Sequence, residues 1–141
     1  MGLVSGVEIY ALDWMQGGMS QFYTPQTSNE TMLVEIPANS ADDLFVHHFQ
    51  TDQLLVVRGA FILVVLQNRE YQYIHLRDRC PQVVKIPPGV PHTAINPYGE
   101  KCVLVNAVLR HGQPHPKDYQ PLPPPFPYHF DWLKQELCNA S

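Results

Sequence analysis

An all-β fold, a sandwich or barrel of short antiparallel strands, is the class this chain predicts, and three observations predict it. Apolar and polar residues alternate with period two through the middle of the sequence. Fourteen of the 141 residues are proline, about twice the usual ~5 % share, and each removes a backbone donor that a helix interior needs. Glycine, proline and asparagine clusters punctuate the alternating segments at short, even intervals. At this length one compact core is expected.

Taken in order, residues 8–14, 31–36, 44–49, 54–57, 61–66, 71–76, 82–86 and 102–109 read as strands, rich in Val, Ile, Leu, Tyr and Phe. Turn chemistry separates them at Gly17-Gly18, Pro37 to Ser40, Arg58-Gly59, Asn68-Arg69, Pro87 to Gly89 and Asn96 to Gly99. The stretch Gln67-Asn68-Arg69-Glu70 reads as the turn of a hairpin. Residues 1–111 are expected to form the barrel and 112–141 a proline-rich C-terminal tail, one domain overall. Seven prolines fall between Gly112 and Pro127, interleaved with Tyr119, Leu122 and Phe126. A flexible linker is poorer in aromatics, so the tail is expected to wrap along the barrel or a neighbouring subunit. Tyr128 to Leu137 (YHFDWLKQEL) could form a short terminal helix.

Charge excludes several function classes. Nine Lys and Arg stand against thirteen Asp and Glu, a net charge of −4, which offers nucleic acid no cationic stripe. Only 16 % of residues are charged and 45 % are hydrophobic, the reverse of a disordered chain. The longest apolar run, Ala60 to Leu66, is far short of the ~18 residues of a membrane span. The opening MGLVSGVEIYALDW has no basic segment ahead of an apolar core, so no secretion signal and a cytoplasmic setting are expected. Cys80, Cys102 and Cys138 are odd in number and lack a C-x-x-C spacing, so they read as reduced thiols. Asn29 and Asn139 match glycosylation sequons by chance on that reading.

Chemistry concentrates in Ile86-Pro-Pro-Gly-Val-Pro-His92-Thr-Ala-Ile-Asn96. From Pro87 it reads P-x-G-x-x-H-x-x-x-N, a rigid turn delivering a strand whose first inward position is His92. Gly89 permits a backbone conformation that other residues avoid, and the prolines pre-set the approach. A histidine so placed can ligate a metal or exchange a proton near neutral pH. This pattern resembles the second signature of the cupin superfamily, and the resemblance implies a double-stranded β-helix, or jelly-roll barrel. Counted back from Gly59, the first cupin signature would place Asp52 at its Glu, His48 at its second His and Val46 at its first. By strand alternation Leu44, Val46 and His48 share one face, and Phe45, His47 and Phe49 the other. His47 and His48 therefore cannot both point inward without a bulge. A set of His48, His92 and Asp52, with Gln53 as the other register for the third ligand, could hold iron, manganese, nickel or zinc. On the other reading His48 and His92 are lumen residues that hydrogen-bond a ligand.

Within the cupins the sequence is similar to the dTDP-4-dehydrorhamnose 3,5-epimerases and dTDP-keto-sugar isomerases over roughly residues 44 to 110. Val46-His47-His48-Phe49-Gln50, then Leu55 to Phe61, then Ile86 to His92 carry that likeness. It implies a homodimer and a small carbohydrate-like ligand. It also implies His48 as the base that removes a proton beside the sugar ketone, with His92 as its lumen partner. Gln50, Asn96 and Tyr73 are candidate ligand contacts. Departures from the pattern are specific. Phe45 stands where the epimerases carry an Arg for the nucleotide diphosphate, residues 102–109 lack the acid Tyr, and Phe61 to Gln67 lack the orienting Asp. Tyr71, Tyr73 and Tyr98 are candidate replacement acids. Three functions stay open at this point: a sugar isomerase or epimerase, a metal-dependent cupin such as a dioxygenase, and a non-catalytic ligand-binding cupin. His75 reads as a surface or interface residue, and Arg77 and Arg79 as solvated charges flanking a loop.

Overall fold

The computed structural model describes residues 3–4, 6–14, 22–23, 26–112, 118–125 and 127–128. The expected Gly17-Gly18 turn, Cys138 and the terminal helix beyond Tyr128 lie outside these residues. In chain order the strands are β1 (Leu3–Val4), β2 (Val7–Ala11), β3 (Asp13–Trp14), β4 (Phe22–Tyr23), β5 (Glu30–Ile36), β6 (Ser40–Ala41) and β7 (Leu44–His47). They continue as β8 (Gln50–Arg58), β9 (Ala60–Gln67), β10 (Glu70–Arg77), β11 (Gln82–Ile86), β12 (His92–Asn96), β13 (Cys102–Arg110) and β14 (Tyr119–Leu122). One sheet runs β1-β2-β11-β8-β13-β5 and the other β10-β9-β12-β7-β14, with β6 beside β12. Strands 3 and 4 form a separate ribbon. The two sheets enclose one core, which is the jelly-roll architecture of the cupin type.

The apolar run in β9 explains its central place. Phe61, Leu63 and Val65 point into the barrel and join Leu54, Val56, Val84, Ile86 and Leu104 in the main core. Ile62 and Val64 point the other way and join Ile95 under Tyr71, Tyr73 and Tyr128. A strand buried on both faces reads as continuous apolar sequence rather than alternation. The hairpin to β10 pairs Gln67 with Glu70, and Asn68 and Arg69 both take positive φ, 54° and 62°. That is the requirement of a type I′ turn, whose twist matches the strands it joins.

Two corrections concern strand limits. The segment expected as one strand over 8–14 is broken at Leu12 into β2 and β3. The segment expected over 44–49 stops at His47, and the next strand begins at Gln50 rather than at Leu54. The cause is Asp118, whose Oδ1 accepts the backbone N–H groups of His48 (2.8 Å) and Phe49 (2.9 Å). Those donors are thereby removed from any ladder, and the chain bends. The tail contributes β14, which pairs antiparallel with β7, and Tyr128 packs 4.9 Å from Tyr71, ring to ring.

Candidate functional site

Register decides which histidine faces the lumen. His92 is paired across β9 with Val65 and across β7 with Phe45. Directly opposed residues share a face, so Phe45 points inward with Val65, and His47, two residues on, follows it. His48 lies in the bend, exposed, with its ring Nε2–H donating to Gln120 Oε1 at 2.8 Å. The structure therefore brings His47, Asp52 and His92 together, with His47 in the place the sequence reading gave to His48.

Three strands deliver the cluster. The prolines and Gly89, at φ 84°, turn the chain into β12, and the Gly89 N–H donates to the His47 carbonyl at 2.7 Å. The loop that presents His92 is thus tied to the strand that presents His47. Asp52 enters from β8, opposite Ile86 of β11. Its side chain is buried, and Oδ1 accepts from Gln50 Nε2 at 2.6 Å and from Asn106 Nδ2 at 3.0 Å. Oδ2 lies 3.1 Å from His92 Nε2 and 3.8 Å from His47 Nε2. Burial pushes the Asp52 carboxyl up. The bond and charge of His92, with the Gln50 and Asn106 bonds, outweigh that and hold it below its ordinary value.

The state of the two imidazoles follows from their partners. His92 Nδ1 donates to the Val90 carbonyl at 2.9 Å, because a carbonyl can only accept. A bond from Nε2 to Asp52 then needs a second ring proton, giving an imidazolium–carboxylate pair. The alternative is a cation held between Nε2 and Oδ2. His47 has no such commitment: Nδ1 is buried without a hydrogen bond, and Nε2 is too far from Asp52 for one. Its side chain is 16 % exposed, at the barrel mouth.

Around the cluster stand residues that the sequence reading did not assign to it. Asn106 is a polar side chain set between Leu104 and Val108 in the inward register of an apolar run, a signal that was present in CVLVNAVL. Arg110 donates through Nη1 to Gln50 Oε1 at 2.6 Å and through Nη2 to Glu30 Oε2 at 2.7 Å. That contact fixes the Gln50 amide so that its NH2 faces Asp52. Tyr119 of β14 is paired with His47; its ring lies 6.0 Å from His47 and 4.9 Å from Phe45. Phe45 in turn lies 4.5 Å from the His92 ring. The mouth is thus an aromatic wall with one carboxylate behind it.

The other predicted residues lie as follows. Gln50 joins the cluster through Asp52. Gln53 faces out of the barrel and donates to the carbonyls of Thr27 and Ala107 at 2.9 and 2.8 Å. Asn96 is fully buried and closes the turn after β12, donating to Ile36 and Glu100 carbonyls and accepting from the Tyr98 N–H. Tyr71 and Tyr73 sit on the outer face of β10, and Tyr98 bonds His75 at the far end of the barrel.

His47, Asp52 and His92 offer one ligand atom each, all within 4.8 Å of one another, so the cluster could hold a divalent metal. The His92 Nδ1 bond to a backbone carbonyl is the arrangement that metal-ligating histidines adopt.

No protein-family model and no curated protein matches the chain. Solved structures do match in fold. A dTDP sugar isomerase of Desulfovibrio desulfuricans superposes with a TM-score of 0.72 over 88 % of this chain and 91 % of its own, at 14 % identity. The 3,4-ketoisomerase QdtA of Thermoanaerobacterium thermosaccharolyticum does so at 0.64 over 95 % of each chain, at 15 % identity. A dTDP-4-dehydrorhamnose 3,5-epimerase of Sulfolobus tokodaii gives 0.67 over 86 % and 80 %, at 13 % identity. The chain has the fold of these proteins.

Proposed function

We propose that the barrel mouth binds a small carbohydrate-like carbonyl compound and moves a proton at the carbon beside the carbonyl, with His47 as base. The observation that carries this reading is an imidazole with no hydrogen bond on either nitrogen among the described residues, held at the mouth beside a buried carboxylate. The proton goes from carbon to His47 Nε2, and the C–H electron pair becomes the enolate. The Asp52 carboxylate draws the proton gained by His47 toward itself. Tyr119, half-exposed beside His47, is the candidate acid that returns a proton, to the opposite face of the same carbon or to the neighbouring one. Neighbours in fold that act on dTDP-linked sugars support the substrate class. Phe45, beside the His92 ring, offers a diphosphate no charge, and Arg110 is committed to Glu30 and Gln50. A sugar face against Phe45 and Tyr119 therefore carries the recognition. The test is incubation in D2O with TDP-4-keto-6-deoxyglucose and, separately, a free keto sugar, with NMR of the C–H next to the ketone. Loss of that signal with either supports the reading; its persistence with both contradicts it.

The His92 tautomer favours a second reading, in which His47, Asp52 and His92 hold iron, manganese, nickel or zinc. Elemental analysis of protein purified without chelator tests it, with about one ion per chain expected and metal-free protein contradicting it. We also propose a homodimer through the outer face of the first sheet. There Leu33, Val105, Leu55, Val83 and Tyr10 form one cross-strand row, and Leu33 is 71 % exposed. A monomeric mass by light scattering would contradict it.

A further inference from the structure

The outer face of the first sheet carries a groove of about 490 Å³, lined by Tyr10, Thr27, Gln53, Val83, Lys85 and Leu109 among others. Asp52 and Gln53 are successive residues of β8, so their side chains leave opposite faces of the sheet. The groove therefore lies across the sheet from the His47 cluster and is no part of that site. Register sets its layout. Lys85 stands opposite Gln53, and Val83 stands between Tyr10 and Leu55. Tyr10 and Val83 end the apolar row proposed above to meet a second copy. Lys85, Gln53 and Leu109 lie on rows beyond it, so the groove flanks that face.

Gln53 builds one wall. It is only 5 % exposed, and its Nε2 donates to the carbonyls of Thr27 at 2.9 Å and Ala107 at 2.8 Å. The first bond pins the segment ahead of β5 over the sheet. Carbonyls only accept, so both amide protons are spent and the orientation of the amide is fixed. Oε1 is left with no hydrogen bond among the described residues, and it is not sealed from solvent. In a side chain buried this deeply, the opening for that oxygen is the groove it lines. Lys85 supplies a charge. It is half-buried, and its side chain makes no ion pair or hydrogen bond among the described residues. Glu8, its cross-strand neighbour on β2, stays beyond ion-pair distance, and no carboxylate among the described residues lines the groove. Tyr10, Val83 and Leu109 add an aromatic and aliphatic surface beside these two polar groups.

We propose that this groove binds a small α-hydroxy acid with an apolar side chain. Its carboxylate meets Lys85 Nζ, its hydroxyl donates to Gln53 Oε1, and its side chain lies on Tyr10, Val83 and Leu109. Directly opposed residues such as Lys85 and Gln53 have Cα atoms about 5 Å apart, which suits polar groups on neighbouring carbons of one ligand. A bare anion would leave Oε1 without a donor, and a neutral sugar would leave Lys85 without a counter-charge. The volume lies in the range of small-molecule sites. The site is independent of the chemistry proposed for His47.

The experiment titrates the full chain with 3-phenyllactate and with two analogues, following backbone amide shifts by NMR. The analogues are 3-phenylpropionate, which lacks the hydroxyl, and 3-phenylpropane-1,2-diol, which lacks the carboxylate. Saturable binding of 3-phenyllactate is expected, with shifts centred on Tyr10, Gln53 and Lys85. Each analogue is expected to bind about fivefold more weakly or worse, the loss of one hydrogen bond. Lys85→Gln removes the charge and breaks no hydrogen bond. It is expected to weaken 3-phenyllactate about tenfold, leave the diol unchanged and keep the circular dichroism melt of the parent. His47→Asn is expected to leave all three affinities unchanged. No saturable binding, equal affinity for the three ligands, shifts centred on the barrel mouth, or binding indifferent to Lys85→Gln would overturn the proposal.

Discussion

Removing the Asp52 side chain, and preserving its shape in a parallel variant, separates its role as hydrogen-bond hub from the tautomer of His92. In Asp52→Ala the Nε2 of Gln50, the Nδ2 of Asn106 and the Nε2 of His92 all lose their acceptor. Each buried donor so stranded costs about 1–3 kcal/mol, and breaking a buried pair from one side typically costs about 3–5 kcal/mol in total. A loss of about 4 kcal/mol corresponds to a fall of roughly 15 °C in Tm for a chain of this size. Asp52→Asn keeps Oδ1 for Gln50 and Asn106 and places an NH2 opposite His92 Nε2. With Nδ1 protonated toward Val90, a neutral His92 presents a lone pair there, so the amide donates to it. That variant is expected within about 1 kcal/mol of the parent near neutral pH. The pH dependence adds a second readout. The Asp52 carboxyl is held below its ordinary value of 3.8, so its stabilisation is complete above that pH and is lost as pH falls through the lower folded value. The parent's advantage over Asp52→Asn should shrink only below pH 3.8. Urea denaturation followed by circular dichroism across the acid range measures both. Equal losses in the alanine and asparagine variants would refute the tautomer assigned to His92, and a loss under about 1 kcal/mol in the alanine variant would refute Asp52 as the hub.

Other perturbations test the frame around the site. Gly59→Ala puts a Cβ 3.0 Å from the Lys101 carbonyl oxygen at φ 91°, and a loss of about 2–3 kcal/mol in urea denaturation is expected from strain and clash together. Arg69→Gly relieves a non-glycine residue at φ 62° and is expected to raise stability by up to about 1 kcal/mol in the same assay. Cys102 is fully buried, and burial followed by the charge of Asp78 pushes its thiol up to about 11. Peptide mapping after alkylation of native protein should find Cys80, which is exposed, modified first and Cys102 modified only on unfolding.

Local signals carried most of the barrel. The apolar run of β9, the Asn68-Arg69 turn and the Pro87–Gly89 approach to His92 are all set by residues adjacent in sequence, and the structure forms each where its chemistry places it. The inward histidine was not legible, because the partner that bends the chain at residue 48 is Asp118, seventy residues away. Extrapolating alternation through that bend leads to His48, whereas the pairing of Phe45 with His92 leads to His47. Tyr119 was hidden for a related reason. A proline-rich tail gives no register, and only its pairing with β7 puts the tyrosine beside His47. Arg110 was not legible as the group that orients Gln50, since that role depends on where β8 and β13 pair.

His47, and not its exposed neighbour His48, is the base proposed at the mouth of the barrel. This assignment is tested most directly by comparing His47→Asn with His48→Asn for exchange of the ketone-adjacent hydrogen in D2O, each variant first shown to melt like the parent. Exchange is expected to disappear in His47→Asn and to continue at the parent rate in His48→Asn. Exchange that survives the loss of His47 and disappears with His48 would contradict it.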